Sequence, residues 1–290
     1  MTGNDPRRGM ILVIVLWTIA LCSALAMAAS VSFRSFVGAA AIDRDRTQGD
    51  ALLTAGLEVA AALAADWPDR PLLDRETTFA LSTGTVRARF NDEGGRIDIG
   101  KAPPEFLAAL LLSIGAPQSQ ADSLAQSIVE WRSRNAAQSG NKSPPESPGK
   151  DTNIGFFTDI GQVAEIPGMK AEWVAAIQPL TTVFGADTVN PLTAPAGVIA
   201  AVPGIDRNRL GAFLAARRSF PNDAARLGMI LGADERFIAA MPQQVVSVRL
   251  ATTLTDGYAA AAHAVIVLLS HDKEPYHVLI WTPLPPFAVL

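Results

Sequence analysis

Cysteine is almost absent from this chain of 290 residues: the single one, Cys22, excludes an intramolecular disulfide and a disulfide-scaffold fold. Histidine is nearly as scarce, and His263, His271 and His277 fall without metal-ligand spacing. No GxSxG, HExxH or phosphate-cradling glycine loop occurs, so an enzyme is the least supported class and none is expected. An excess of basic charge is also missing. The 24 Lys and Arg against 28 Asp and Glu leave a net charge of −4, and nothing draws the whole chain to nucleic acid. With 49% hydrophobic residues the chain suits a folded protein, and a mean hydropathy of +0.23 points to a membrane segment that inflates the average.

That segment is residues 10–33, MILVIVLWTIALCSALAMAASVSF, which carries no charged side chain. As a helix it spans roughly 36 Å, enough for a hydrocarbon core of about 30 Å. Ile14, Trp17 and Cys22 lie within it. The short tail with Arg7 and Arg8 favours a cytoplasmic N-terminus, placing the chain beyond Phe33 outside the cytoplasm. Three readings compete. A secretory signal peptide fits the small-x-small pattern Ala26-Met27-Ala28. A lipoprotein signal ending at Cys22 meets a bulky Leu21 where a small residue is needed, and Cys22 reads better as a small buried hydrophobe. In the third reading a peptidase cuts at the abrupt junction of Gly9 and Met10, which leaves the apolar segment on the protein. That junction resembles the leader of type IV pilins and type II secretion pseudopilins, which are cut after the glycine and methylated on the new N-terminal residue.

Residues 34–67 continue in helix-favouring types with no proline before Pro68, as a signal peptide has no need to do. Ala55, Val59, Leu63 and Trp67 recur at four-residue spacing, and Leu53, Leu57 and Ala60 widen the same apolar face. One helix over residues 10–66 is roughly 85 Å long, half in lipid and half packed on a soluble domain; a separate amphipathic helix after the anchor is the alternative. Beyond Pro71 the pattern turns to strands at 77–81, 85–90 and 96–99, and strands return at 245–254, 260–269 and 276–281. Asp66, Asp69 and Asp74 surround prolines in the first connection and suit a turn.

Between the two sets of strands the chain is written in helices. Pro104 opens one and Gly115 closes it; Ser119 with Asp122 gives a capping pattern, and later helices are expected after Lys170, Ala194, Asp206, Asn222 and Ala233. Residues 136–153 are rich in Ser, Pro, Gly, Asn and Lys and read as an exposed loop. The fold class is therefore α+β: an antiparallel sheet interrupted by a large all-α insertion. VAEIPGMK at Val163 and AAVPGIDR at Ala200 share an apolar, Pro-Gly, apolar turn, and IDIGKAPPEFL at Ile97 is echoed by VNPLTAPAGVI at Val189. These resemble helix-hairpin-helix units, some of which bind a DNA phosphate through backbone N–H groups. Lys170 and Asp206 stand where such hairpins carry a second glycine, and a carboxylate repels a phosphate, so the units are read as packing elements. Arg207, Arg209, Arg217 and Arg218 are read as a solvated helix face.

The order of the Gly9-Met10 junction, the long helix, DEGGRIDIGKAPPEFLAALL, SIVEWR, FFTDIGQVAEIPGM and VNPLTAPAGVIAAVPGID resembles the K-type minor pseudopilins of type II secretion, the GspK family. The resemblance implies a cleaved leader over 1–9, a transmembrane helix over 10–33, the pseudopilin helix and first strands over 34–101, the insertion over 102–241 and the closing strands over 242–290. Ile14, the fifth mature residue, stands where other pilins carry a glutamate that neutralises a neighbour's N-terminal amine, and K-type members lack that carboxylate.

The implied role is structural: a tip subunit of the pseudopilus that helps initiate its assembly for protein export. Its implied partners are the I- and J-type minor pseudopilins, the prepilin peptidase and the inner membrane, with no nucleic acid. Leu57 and Leu63 are the expected partner-binding residues, on a helix whose alanine-rich 60–65 stretch lets a second helix approach. Relatives can bind calcium in an acidic loop after the Glu130-Trp131-Arg132 region; here only Glu146, Asp151 and Asp159 remain, too few for a hard cation that takes six to eight oxygens, and no cofactor is assigned. The alternative is a membrane-anchored helix-hairpin-helix binding protein or a type IV pilus assembly component.

Overall fold

The computed structural model describes residues 6–67, 71–139, 157–241, 244–269 and 274–285. In chain order its elements are α1 (Pro6–Ala65), β1 (Arg75–Leu81), β2 (Gly84–Asp92), β3 (Ile97–Asp98), α2 (Pro104–Ser113), α3 (Gln118–Ser139), α4 (Ala171–Ile177), β4 (Thr181–Thr182), α5 (Ala196–Ala200), α6 (Arg207–Ser219), α7 (Ala224–Leu231), β5 (Val245–Leu254), β6 (Ala259–Leu268) and β7 (Tyr276–Leu284).

Strands β1, β2, β5, β6 and β7 form one antiparallel sheet in that order, so the strands before and after the insertion meet at the β2–β5 pair. Alternation decides which side is dry. Val86, Ala88 and Phe90 of β2, Val246, Val248 and Leu250 of β5, and Ala262, Ala264 and Ile266 of β6 all point to one face, which the second half of α1 covers. Leu52, Leu53, Leu57, Ala60, Ala61 and Ala64 supply the helix side of that core. Gly56 lets helix and sheet approach: a Cβ there meets Val86 Cγ1 at 2.8 Å. β7 runs on to Leu284, beyond the expected Trp281, and includes Pro283. It is an edge strand, where the absent proline N–H costs no ladder bond.

The insertion has its own core, and that core corrects two expectations. First, β3 does not join the large sheet. It pairs in parallel with β4, and Ile97 and Ile99 are fully buried among insertion residues, so the boundary between the two cores falls before Ile97 rather than after residue 101. Second, the insertion is helical but contains one short strand, β4. Tertiary context overrides local signals elsewhere too. Gln120 and Ala121 donate to the Pro117 carbonyl, so α3 begins at Gln118 and Ser119 is not its cap. No helix follows Ala233, because Asp234 closes a tight turn by accepting from the Arg236 and Phe237 N–H groups. α3 continues to Ser139, into the expected 136–153 loop, the rest of which lies outside the described residues.

The echo between IDIGKAPPEFL and VNPLTAPAGVI is an internal structural repeat. In the first unit β3 leads into α2, α3 and α4 and pairs in parallel with β4; in the second Val189 leads into α5, α6 and α7 and makes a parallel bridge to Ile238. Asp98 Oδ1 accepts from Gly100 N at 2.7 Å, and Asn190 Oδ1 accepts from Leu192 N at 3.1 Å, so both units begin with the same side-chain-closed turn. An arginine from the later long helix then ties that turn down. Arg132 NH1 donates to Gly100 O (3.2 Å) and Ala102 O (2.9 Å); Arg217 NH1 donates to Pro191 O (3.0 Å) and Ala194 O (2.5 Å). Phe106 and Phe237 meet edge to face at 5.6 Å across the two units, which therefore share one core.

Candidate membrane anchor and partner interface

Helix α1 has two chemically different halves. Residues Val13–Ser30 form a span of mean hydropathy 2.2, none of it buried by the rest of the chain. Ile14 and Trp17 expose 54% and 70% of their surface, and Cys22 is also exposed. Apolar side chains held in the open require a non-aqueous or protein partner, and the length suits a bilayer. The backbone is helical through Gly9 and Met10, so the expected processing junction lies within the first turns of α1. At 1.5 Å per residue the 60 residues of α1 reach roughly 90 Å.

The domain half of α1 assigns Leu57 and Leu63 different environments. Leu57 is 3% exposed and packs on the chain's own sheet. A partner contact through it is excluded unless the sheet is displaced, which corrects the expectation for that residue. Leu63 and Val59 are half-buried along the rim of the helix, and Ala55 and Ala62 are exposed. The stripe on the sheet is thus 52, 53, 56, 57, 60, 61 and 64, turned by about one residue from the 55, 59, 63, 67 series.

Sheet and insertion are joined by the segment DEGGRID, where three carboxylates are buried. Asp92 accepts from Thr193 Oγ1 (2.7 Å), Gly94 N (3.0 Å) and Asn190 Nδ2 (3.3 Å). Glu93 accepts from Thr182 Oγ1 at 2.5 Å and pairs with Arg96 at 3.1 Å. Asp98 faces Lys101, whose Nζ also donates to Gly185 O. Burial pushes Asp92 and Asp98 above the usual carboxylate range, and the hydrogen bonds at Asp92 and the Lys101 charge at Asp98 oppose that shift. Gly95 admits no side chain, since a Cβ there falls 2.6 Å from the Thr193 carbonyl oxygen. Reading the sequence missed this seam. The signal was present as acidic residues between glycines, but its partners lie some ninety residues away.

The remaining expected residues are dispersed. His263 lines a cleft of about 570 Å³ between the outer sheet face and the insertion, with Glu93, Arg96 and Arg249, and burial lowers its pKa. His277 Nδ1 meets Glu274 at 3.1 Å, and His271 lies outside the described residues. Asp74 sits in a turn at φ 50° and its N–H donates to Asn91 Oδ1, whereas Asp69 lies outside the described residues. Of the three acids weighed for calcium, Glu146 and Asp151 lie outside the described residues, and Asp159 caps a 3-10 turn by accepting from Gly161 N at 2.6 Å. Among the described residues no group of three His, Cys, Asp or Glu side chains is placed to hold a metal ion. In the AAVPGIDR turn Gly204 takes φ 82° and Asp206 caps α6, accepting from Arg209 N at 2.8 Å. The carboxylate thus occupies the helix N-terminus that a phosphate needs.

An apolar helix whose outer half is bare and whose inner half packs beneath an antiparallel sheet, with a helical insertion between strands, defines an α+β protein whose N-terminal helix fits a single-pass membrane anchor. Residues 91–186 match the family described as "Type II secretion system (T2SS), protein K". The fold matches a chain of the crystal structure of the GspK-GspI-GspJ complex from enterotoxigenic Escherichia coli at a TM-score of 0.58 and 15% identity, over 84% of this chain and 98% of that one. No curated protein sequence matches significantly. Residues 91–186 of the chain thus resemble the K family of type II secretion, and the fold is that of the matched chain.

Proposed function

We propose that this chain is a K-type minor pseudopilin of type II secretion, the tip subunit of the pseudopilus, and that it helps initiate assembly in association with I- and J-type minor pseudopilins. The observation that carries this reading is the combination of a long bare helix with a bulky insertion. The helix suits lateral packing with other pseudopilin helices, and the insertion suits only the end of a filament. The absence of a carboxylate at Ile14 supports an end position, because a subunit with no neighbour above it has no N-terminal amine to neutralise. The prepilin peptidase cuts between Gly9 and Met10, the new N-terminus is methylated on the cytoplasmic side, and the domain lies in the periplasm against the inner membrane.

Co-expression with I- and J-type pseudopilins tests this. Intact mass spectrometry of the membrane-extracted chain is expected to give a protein starting at a methylated Met10, and affinity purification a stoichiometric complex. A mature chain starting at Ala29, or no association with either pseudopilin, refutes it; stable DNA binding without that association favours the helix-hairpin-helix alternative.

Calcium is proposed to be dispensable to the fold, since Asp159 is committed to a cap. A ligand at 100 times its Kd stabilises by roughly 2.7 kcal/mol. The Tm of the full chain in neutral detergent is therefore expected to be the same in calcium and in EDTA, and a clear rise with calcium overturns this.

A further inference from the structure

The turns of the two repeat units differ in charge, since Asp98 and Lys101 of the first are matched by Asn190 and Thr193 of the second. In the first, Arg132 holds the turn and the Asp98 carboxylate is close enough to favour its positive charge. In the second, Arg217 holds the matching turn, but Asn190 stands where Asp98 does, and among the described residues no carboxylate pairs with the partly buried Arg217 guanidinium. Arg217 therefore holds, in a fixed position, a charge that no carboxylate among the described residues pairs with. Its Nη1 is spent on two carbonyls and its Cζ lies 5.3 Å from the centre of the Phe213 ring, which leaves the rest of the fork to other acceptors.

That charge lines a cleft of about 610 Å³ between α6 and the irregular segment leading into β1. Arg75 and Arg218 stand on the same cleft, and Leu73, Leu192 and Leu214 supply apolar wall. Arg75 is also held in place, its guanidinium 4.1 Å from the centre of the Trp67 ring. Among the described residues neither Arg75 nor Arg218 pairs with a carboxylate, and none lines the cleft. Among the described residues the nearest acids in sequence are engaged: Asp74 faces Arg89 at 3.6 Å, Glu76 pairs with Arg87 and Arg89, and Asp223 accepts from Arg226 N at the start of α7. Three cations on an apolar cleft, in a chain whose net charge is −4, form a local site rather than part of a general basic surface.

We propose that this cleft binds a segment of a partner protein in which acidic side chains alternate with apolar ones. Planar guanidinium forks match carboxylates in two-point hydrogen bonds, and the leucine wall rewards the apolar neighbours, which a free inorganic anion lacks. This goes beyond the tip assignment and stands or falls separately from it, because its readout needs no other pseudopilin.

The test uses the full chain in neutral detergent and two fluorescein-labelled peptides, Gly-Glu-Leu-Glu-Phe-Gly and its Gln counterpart, followed by anisotropy. The acidic peptide is expected to bind at least about tenfold more tightly than the Gln peptide. Arg75→Gln and Arg218→Gln are each expected to weaken it about tenfold with Tm unchanged. Arg217→Gln frees two carbonyls and is open to misfolding, so the two rim variants carry the result. Equal affinity for both peptides, or indifference to both rim variants, overturns the proposal. So does displacement of the peptide by millimolar inorganic phosphate, or binding of phosphatidylglycerol vesicles, but not the peptide, that depends on Arg75 and Arg218.

Discussion

Leu57→Glu is expected to abolish the folded sheet unit, whereas Leu63→Glu, less than two turns further along the same helix, leaves it folded. Leu57 is almost fully buried against the sheet. Truncating a core leucine alone costs about 2–5 kcal/mol, and placing a carboxylate there without a partner adds several more. A domain of ordinary stability holds about 5–15 kcal/mol, so the variant loses most or all of its native population. Leu63 is half-buried on the rim, where a longer charged side chain reaches solvent. Near-UV circular dichroism and limited proteolysis of both variants check this. A cooperative, unshifted melt for Leu57→Glu sinks the assignment of that face to the sheet. If Leu63→Glu folds but no longer associates with the I- and J-type pseudopilins proposed as partners, the partner surface runs along the rim.

The second large effect lies in the buried seam. Asp92→Ala is expected to lower stability by about 2–5 kcal/mol, because the Thr193 hydroxyl and the Gly94 N–H lose their acceptor at about 1–3 kcal/mol each, while the Asn190 amide keeps the Met241 carbonyl. Asp92→Asn keeps an acceptor and is expected to cost less. The pair also reads the charge. The folded-state pKa of Asp92 is raised by burial above its ordinary 3.8, so the protonated form is favoured in the folded chain. Measured against Asp92→Asn, the wild type should be relatively most stable below about pH 3.8, and should lose that advantage as pH rises through the raised folded value. Urea melts of both proteins across that range test it. A difference that instead grows with pH refutes the burial-dominated picture.

These two sites mark where local reasoning stopped. An apolar span with basic flanks, a helix unbroken until Pro68, and alternation at 245–254 are encoded by neighbours in sequence, and they place α1, β5 and the start of β7 without reference to anything distant. The glycines at 115, 168 and 204 likewise announce turns, and all three take positive φ. The Ile97 and Val189 echo was legible as a pattern, and Asp206 as a carboxylate unsuited to phosphate. What the echo builds was not legible, since Arg132 reaches back about thirty residues to its turn and Arg217 about as far.

The sequence by itself determined the anchor, the long helix, the α+β order of elements and the uncharged character of position 14. Tertiary structure alone decided which side of α1 meets the sheet. The 55, 59, 63 series and the 53, 57, 60, 64 series are both apolar on an alanine-rich helix, so local pattern is nearly indifferent, and the sheet selects the stripe in which Gly56 permits contact with Val86. It also decided that Ile97 and Asp98 leave the large sheet for a parallel pair with Thr181 and Thr182. Lastly it decided that Asp92, Glu93 and Asp98 are buried and that, among the described residues, no acid stands by Arg217 as Asp98 does by Arg132. The physical reason is common to all of these. Helix and turn propensities are set within a few residues, whereas burial of a face, strand partnership and compensation of a charge depend on groups that only the folded chain brings together.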